Sequence, residues 1–287
     1  MLGFVTTIRH PDNAASFDRV GQLLDATLGS VCRQTDTDFS VVVVHNELPA
    51  MRYHHPSITY VHVNFPAPSN KRNARIGLGP GHLDKGYKAV IGARRARELG
   101  AAHVMFFDAD DYVHHELARH ANADPEHPGW YSDLGYIHSQ GSRSVGVVEQ
   151  DFDRKAGSTS IIRYDVLGIP DSLTVSYSHA EIDHALGPAT AGYLFGSHDK
   201  WRGHLSAQGQ ELDPLPFPAS IWEIGTGENL SGIVRSGRPT VPLDRDIEEA
   251  FGLARPSYIS HVRAMASRSA MRIQRKLESC FARRSST

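Results

Sequence analysis

The sequence predicts an α/β fold in which a mostly parallel central sheet carries helices on both faces, with a smaller antiparallel addition and a C-terminal helix. Three observations carry that expectation. Over the first half, short β-rich runs alternate with stretches whose apolar residues recur at helical spacing, the pattern of strands joined by crossover helices. The run Val41-Val42-Val43-Val44 is apolar at every position, as in a strand covered on both faces. Beyond residue 130 helical spacing fades and short strand-like runs separated by turns take over, which predicts antiparallel pairing.

Taken in order, Leu2 to Ile8 reads as the first strand. A helix follows from about Ser16, because Phe17, Val20, Leu23, Leu24, Leu28 and Val31 fall on one face. Phe39 to His45 and Ile58 to Val63 are the next strands. Pro66 to Lys85 is polar, basic and rich in Gly and Pro, and is expected to be a long loop bearing Lys71, Arg72 and Arg75. Lys88 to Leu99 is again helical, Gly100 ends it, and His103 to Phe107 is a strand that delivers Asp108-Ala109-Asp110-Asp111 at its C-terminal end. A helix from Val113 to Ala123 and strands at Leu134 to His138, Ser144 to Val148 and Ser158 to Arg163 come after it. Ser257 to Arg284 forms a final helix, with Ile259, Val262, Ala266, Ala270, Ile273, Leu277 and Phe281 on one stripe.

With 287 residues the chain is long enough for one elaborated domain with a sizeable core. A formal charge of -2 gives no global reason to expect nucleic-acid binding. Only Cys32 and Cys280 are present, too few and too far apart for a disulfide framework or a zinc site, which fits a reducing compartment. The opening Met1-Leu2-Gly3-Phe4-Val5 has no basic region before its apolar run, and no stretch reaches the length of a membrane span, so a cytoplasmic protein is expected.

In an open α/β sheet, ligands bind outside the carboxyl ends of the strands, so acids placed directly after Phe106-Phe107 face a crevice. Three acids within four residues repel one another unless a cation intervenes, and a hard divalent ion takes one or two carboxylates together with substrate phosphates. The plainer reading of an isolated Asp-x-Asp is a helix cap or a turn.

Surrounding features change that balance. Ser30-Val31-Cys32-Arg33-Gln34-Thr35, the strand Phe39-Ser40-Val41-Val42-Val43-Val44, the Lys-led helix ending at Gly100 and the strand end Phe106-Phe107-Asp108-Ala109-Asp110-Asp111 occur in an order that resembles the GT-A fold glycosyltransferases, especially those similar to glycosyltransferase family 2. The likeness covers roughly residues 2 to 115. It implies a transferase domain over 1–250, with a nucleotide-binding half (1–115) and an acceptor half (116–250), followed by a basic amphipathic helix over 251–287.

That resemblance implies a nucleotide-diphosphate sugar as donor, Mn2+ or Mg2+ as cofactor, and a glycan or lipid-linked glycan, or another hydroxyl compound, as acceptor, with inversion. Asp110 and Asp108 are the expected metal ligands, Asp108 alternatively supporting the donor ribose. Lys85 and Lys88 would share the diphosphate charge, with Arg72 and Arg75 as weaker candidates. Thr6, Thr7 and Arg9 would contact the nucleoside at the end of the first strand. His45-Asn46-Glu47 replaces the acids that usually meet the base, so the base is not specified. For the general base, Gly196-Ser197-His198-Asp199-Lys200-Trp201 resembles the segment that supplies it and nominates Asp199, with Asp183 and Glu181 as rivals and a helix cap as the alternative role of Asp199. Glu223, Glu228 and Trp222 are candidates for the acceptor side.

Two other classes remain open on sequence. A phosphatase of the haloacid dehalogenase type also ends an apolar strand with Asp-x-Asp, normally near the start of its domain, and a nonenzymatic GT-A domain would bind a nucleotide or glycan without transfer. The final helix opposes its apolar stripe with Arg263, Arg268, Arg272, Arg275, Lys276, Arg283 and Arg284 against Glu278. That pattern fits peripheral contact with an anionic membrane at the inner face, or a helix closing the domain with a solvated charged face.

Overall fold

A computed structural model of the chain describes residues 1–69, 79–187, 190–228 and 239–266. Arg72, Arg75 and the C-terminal segment from 267 onward lie outside the described residues. The strands are β1 (Leu2–Thr7), β2 (Phe39–His45), β3 (Ile58–His62), β4 (His103–Phe107), β5 (Tyr112–Val113), β6 (Gly129–Tyr131), β7 (Gly135–Ser139), β8 (Ser144–Val148), β9 (Ser160–Arg163), β10 (Asp213–Pro214), β11 (Ser220–Ile224) and β12 (Thr240–Pro242). They form one sheet of order β10-β6-β9-β4-β1-β2-β3 and a second of order β12-β8-β7-β11-β5.

In the larger sheet β1 to β4 are mutually parallel, and β9 runs against β4 and β6. The chain first adds β2 and β3 on one side of β1, then returns to place β4 on the other. Right-handed crossovers make the two connecting helices fall on opposite faces after such a reversal. The helix α1 (Phe17–Val31) accordingly buries Val20, Leu24, Leu28 and Val31 with Val41 and Val43 of β2. The helix α2 (Pro80–Glu98) packs Val90, Ile91, Ala93 and Ala96 with Val42 and Val44. The all-apolar run in β2 is thus explained strand face by strand face. Ser16 caps α1 by accepting from the Arg19 N–H, as its position before the apolar repeat predicts.

Three elements differ from expectation. α2 begins at Pro80, so Lys85 stands on its second turn and not in a loop, and Lys88 lies inside the helix instead of opening it. Pro at the first helical position is compatible with a start there because its missing N–H would be unpaired anyway. The expected helix after Asp111 is shorter, Leu117–Asn122, and is preceded by β5. The β7 and β8 hairpin does not extend the main sheet; it joins β11, β12 and β5 in the second one. Among the described residues no helix is long and apolar enough to cross a membrane.

α2 also packs backbone to backbone on the turn Ala191–Phe195. A Cβ at Gly86 would overlap the Ala191 carbonyl, and one at Gly196 would overlap that of His82. Gly86→Ala is therefore expected to cost about 1–3 kcal/mol in chemical denaturation through overpacking against rigid backbone. Gly203→Ala, in open space on a helix, should be neutral or slightly stabilising.

Candidate active site

The strand order reverses between β1 and β4, which makes the crevice beyond their carboxyl ends the switch point where ligands of open α/β sheets bind. Thr6 pairs with Phe107, so Thr7 and Asp108 leave the two strands side by side. Both are part-exposed there.

The three acids after β4 have three different environments. Asp108 pairs with Lys85, which reaches it from the second turn of α2. Burial alone would raise the Asp108 carboxyl, but the Lys85 ammonium and its hydrogen bond outweigh burial and hold it below the usual carboxylate range. The Asp108 N–H donates to Ser158 Oγ at 2.9 Å, and a Cβ at Gly157 would collide with the Asp108 carboxylate, so the residues before β9 set its position. Asp111 is wholly buried and accepts from Ser158 Oγ at 2.7 Å and from the Glu223 N–H at 3.0 Å. Burial first, then Asp108 and Asp110, push its carboxyl well up, so Asp111 is an anchor for β11 and not a ligand. Asp110 accepts from Thr226 Oγ1 at 3.4 Å, and burial followed by the Asp108 charge pushes it up to about 7.

Behind these acids lies a buried pair, His138 and Glu223, on adjacent strands β7 and β11. His138 Nδ1 is 2.5 Å from Glu223 Oε2 and Nε2 is 3.0 Å from the Ser142 carbonyl. A carbonyl only accepts, so Nε2 carries hydrogen, and a second proton is shared between Nδ1 and the carboxyl. Glu223 is therefore engaged inside the protein and does not line an acceptor surface, contrary to the sequence expectation. Glu228 is likewise internal: it accepts from Arg9 Nη1 at 2.8 Å and from the N–H groups of Ala15 and Ser16 at 3.2 and 2.7 Å.

That geometry reassigns several donor-side candidates. Arg9 also donates to the Glu228 carbonyl at 2.5 Å, so its guanidinium ties the end of β1 to the segment after β11. Lys88 has no exposed surface; it donates to the Ile8 carbonyl and to Asp84 Oδ2, both at 2.8 Å, and burial lowers its ammonium against the pull of Asp84. It clamps α2 to β1 and has no surface to offer a diphosphate. His45 is buried among Tyr60 and His62, and burial pushes its imidazole down to about 4, so it is neutral, with Nδ1 unpartnered among the described residues. Thr7 keeps an exposed edge at the crevice.

The candidate bases separate. Asp199 accepts from Ser197 Oγ at 2.6 Å and Lys200 Nζ at 2.5 Å; these hydrogen bonds outweigh burial, which would raise it, and keep it ionised below the usual range. It makes no backbone cap. It lines an open cavity of about 350 Å³ with Asp153, Arg154, Tyr193, Lys200 and Arg202, while His198 and Trp201, its neighbours in sequence, line a second small cavity with Lys85. Lys85, the partner of Asp108, and His198, the residue before Asp199, thus line one cavity. Asp183 instead accepts from Tyr87 OH at 2.8 Å. Lys85 and Tyr87 project roughly 160° apart around α2 at about 100° per residue, which puts Asp183 on the far side of the helix from Asp108. Glu181 caps its own helix through Ser178.

Asp108 and Asp110 fit a hard divalent cation by donor chemistry: two carboxylates leave the remaining positions to phosphate oxygens and water. A cation there would also relieve the Asp108 repulsion that adds to burial in pushing Asp110 upward. A second acidic group, Asp133, Asp151 and Asp153, has its oxygens close enough to share an ion, but Arg202 already bridges Asp151 and Asp153 at 3.6 and 3.4 Å. Gly157, Ser158, Thr226, His82 and His198 were not legible as site residues. Their roles depend on contacts with partners far away in sequence; only the nearness of His198 to Asp199 signalled any of them.

The sequence matches no family model and no curated protein. Among solved structures the chain is similar to residues 1–349 of S. aureus TarS, at 14% identity and a TM-score of 0.40, over 77% of this chain and 60% of that one. It is similar to the complex of that fragment with UDP-GlcNAc at 13% and 0.39, over 77% and 58%. An active-site mutant of LgtC gives 12% and 0.35, over 78% and 87%. The chain thus spans a little under two thirds of the TarS fragment.

Two outcomes follow from the geometry. Lys88→Met leaves Asp84 buried without its partner and is expected to destabilise the protein by about 3–5 kcal/mol in urea; loss of ligand affinity with unchanged stability would contradict a clamp. For Asp110 the sign runs against the usual carboxylate: a folded value near 7 means that the native state holds more protons than the unfolded chain between about pH 4 and 7, so ionisation costs stability as pH rises. Asp110→Asn, measured without divalent ions, should gain on the wild type across that window by up to about 1.4 kcal/mol per pH unit.

Proposed function

We propose that the chain is a glycosyltransferase that moves a sugar from a nucleotide-diphosphate sugar to a hydroxyl acceptor, a glycan or lipid-linked glycan, with inversion and with a divalent cation. The observation that supports this reading best is that Asp108 and Asp110 leave β4 at the switch-point crevice with Lys85 on Asp108, while ionised Asp199 directly follows His198, which lines a cavity with Lys85. The order of motifs that resembles GT-A enzymes assigns the same crevice to the donor.

A divalent cation held by Asp110, with Asp108 beside it, would supply neutralisation of the charge that builds on the leaving diphosphate. Lys85, shared between Asp108 and the crevice, adds a second positive charge on the same side. Thr7 lies where the nucleoside would enter. As the acceptor oxygen bonds to the anomeric carbon, the anomeric bond to the diphosphate oxygen breaks with its electron pair leaving on that oxygen. The acceptor proton passes to the Asp199 carboxylate, which Ser197 and Lys200 hold in its ionised state. Burial of the acids strengthens each of these interactions relative to water.

Thermal stabilisation by uridine, guanosine and thymidine diphosphates with and without Mn2+ tests the donor site, since a ligand that binds only the native state raises its midpoint. A manganese-dependent shift with one nucleotide, absent in Asp110→Asn, is expected; no shift with any of them would remove the reading. Asp199→Asn should lower turnover about 10²- to 10⁴-fold, the usual worth of a general base, with donor affinity retained. Equal loss of donor affinity would make Asp199 a structural residue.

A further inference from the structure

Residues 258–266 are helical and follow the last packed residues of the domain, Phe251 and Leu253. Their helix is attached along one side: His261 Nδ1 lies 3.1 Å from the Gly141 carbonyl, and Ala264 sits where a Cβ on Gly141 would collide with it. Arg143 bonds the Pro256 carbonyl just ahead of the helix. The apolar side chains are not on that side. Tyr258, Ile259, Val262 and Met265 are 73, 67, 49 and 52% exposed, and they are four of the seven exposed large hydrophobic residues described in the whole chain. At about 100° per residue Tyr258, Val262 and Met265 fall within roughly 60° of arc, with Ile259 roughly 60° further round.

Over the described residues 258–266 this is not the arrangement of a helix that closes a domain. A helix that closes a domain turns its apolar stripe inward, and here Ile259 and Val262, the first two members of the stripe, are in solvent. Single exposed apolar residues need no explanation, whereas four clustered on one helix face do. Charge identifies the occupant. Arg263 is exposed beside the apolar residues, and the sequence from 267 to 287 carries six further cations, Arg268, Arg272, Arg275, Lys276, Arg283 and Arg284, against one acid, Glu278. The rest of the chain must then be net acidic, since the total is -2. An exposed apolar helix face followed in sequence by a run of cations is the composition of segments that lie in the headgroup layer of an anionic bilayer.

We infer that the face formed by Tyr258, Ile259, Val262 and Met265 binds the surface of an anionic lipid bilayer. The apolar side chains enter the boundary between headgroups and acyl chains and Arg263 meets the phosphates. Because His261 and Ala264 attach the helix to the β7–β8 turn, binding fixes the orientation of the second sheet on the bilayer. The inference does not depend on the donor-site reading: an anionic surface would be bound with or without a nucleotide-sugar.

Flotation of the full-length protein with vesicles of equal parts phosphatidylglycerol and phosphatidylcholine, against vesicles of phosphatidylcholine alone, tests it. Binding to the anionic vesicles that weakens with salt, and little binding to the neutral ones, is the expected result. The double variant Ile259→Asp/Val262→Asp changes exposed side chains only, so its thermal midpoint should match the wild type while partitioning falls about tenfold or more. Equal flotation of variant and wild type would overturn the inference. So would a wild-type dimer in sedimentation that the double variant makes monomeric without any lipid binding, which would assign the face to a second copy of the chain.

Discussion

The structure turns on how three carboxylates can occupy four consecutive positions at the end of one buried strand. At such separations like charges in a low-dielectric setting cannot all ionise without compensation. The protein treats each differently. Asp108 receives an ammonium from α2, Asp111 receives a hydroxyl and a backbone N–H and is withdrawn from the crevice, and Asp110 is left with the highest cost of ionisation that the crevice can relieve. The second sheet supplies two of these partners, Thr226 and the Glu223 N–H, from β11 and the turn after it. A chain lacking that sheet would retain the strand and its acids without the arrangement that distinguishes them.

α2 divides the remaining polar groups by its rotation. Asp84, Tyr87 and Lys88 face inward, where Lys88 joins the helix to the end of β1 and Tyr87 holds Asp183. Lys85, on a different side of the same turn, meets Asp108. Gly86 lies between them and lets the helix approach the Ala191–Phe195 turn closely enough to bring residues 198–201 beside Lys85. Positioning of the crevice and packing of the core are therefore one constraint, which is why a lysine three residues from a site residue is wholly structural.

Features set by local pattern were readable in the sequence. β1, β2 and β4, the start of α1 near Ser16 and the delivery of acids after Phe107 follow from apolar runs and helical spacing that need no distant partner. The start of α2 was hidden because Gly79-Pro80-Gly81 has the composition of a loop, and only Pro at the first helical position argues the other way. The Asp84 and Lys88 pair had a local signal, an acid four residues before a lysine, but that spacing is equally common on solvated helix faces. Glu223 and Glu228 could not be placed from sequence. Their partners His138 and Arg9 are 85 and 219 residues away, and parallel pairing of β7 with β11 leaves no short-range trace.

The Arg9 and Glu228 link shows how far the crevice depends on such contacts. Glu228 is buried and carries no ligand-facing surface, yet it accepts from the Arg9 side chain and from two backbone N–H groups entering α1. Three donors satisfy the oxygens of this buried side chain, and removal of any one of them would leave a buried polar atom with fewer partners. The same residue donates its own N–H to Thr226 Oγ1 at 3.2 Å, and Thr226 in turn meets Asp110. A positive charge that composition alone would offer to a nucleotide is in this fold used to fix the turn that holds Asp110. Among the described residues, Lys85 is the cation that instead reaches the acids of the crevice, through Asp108.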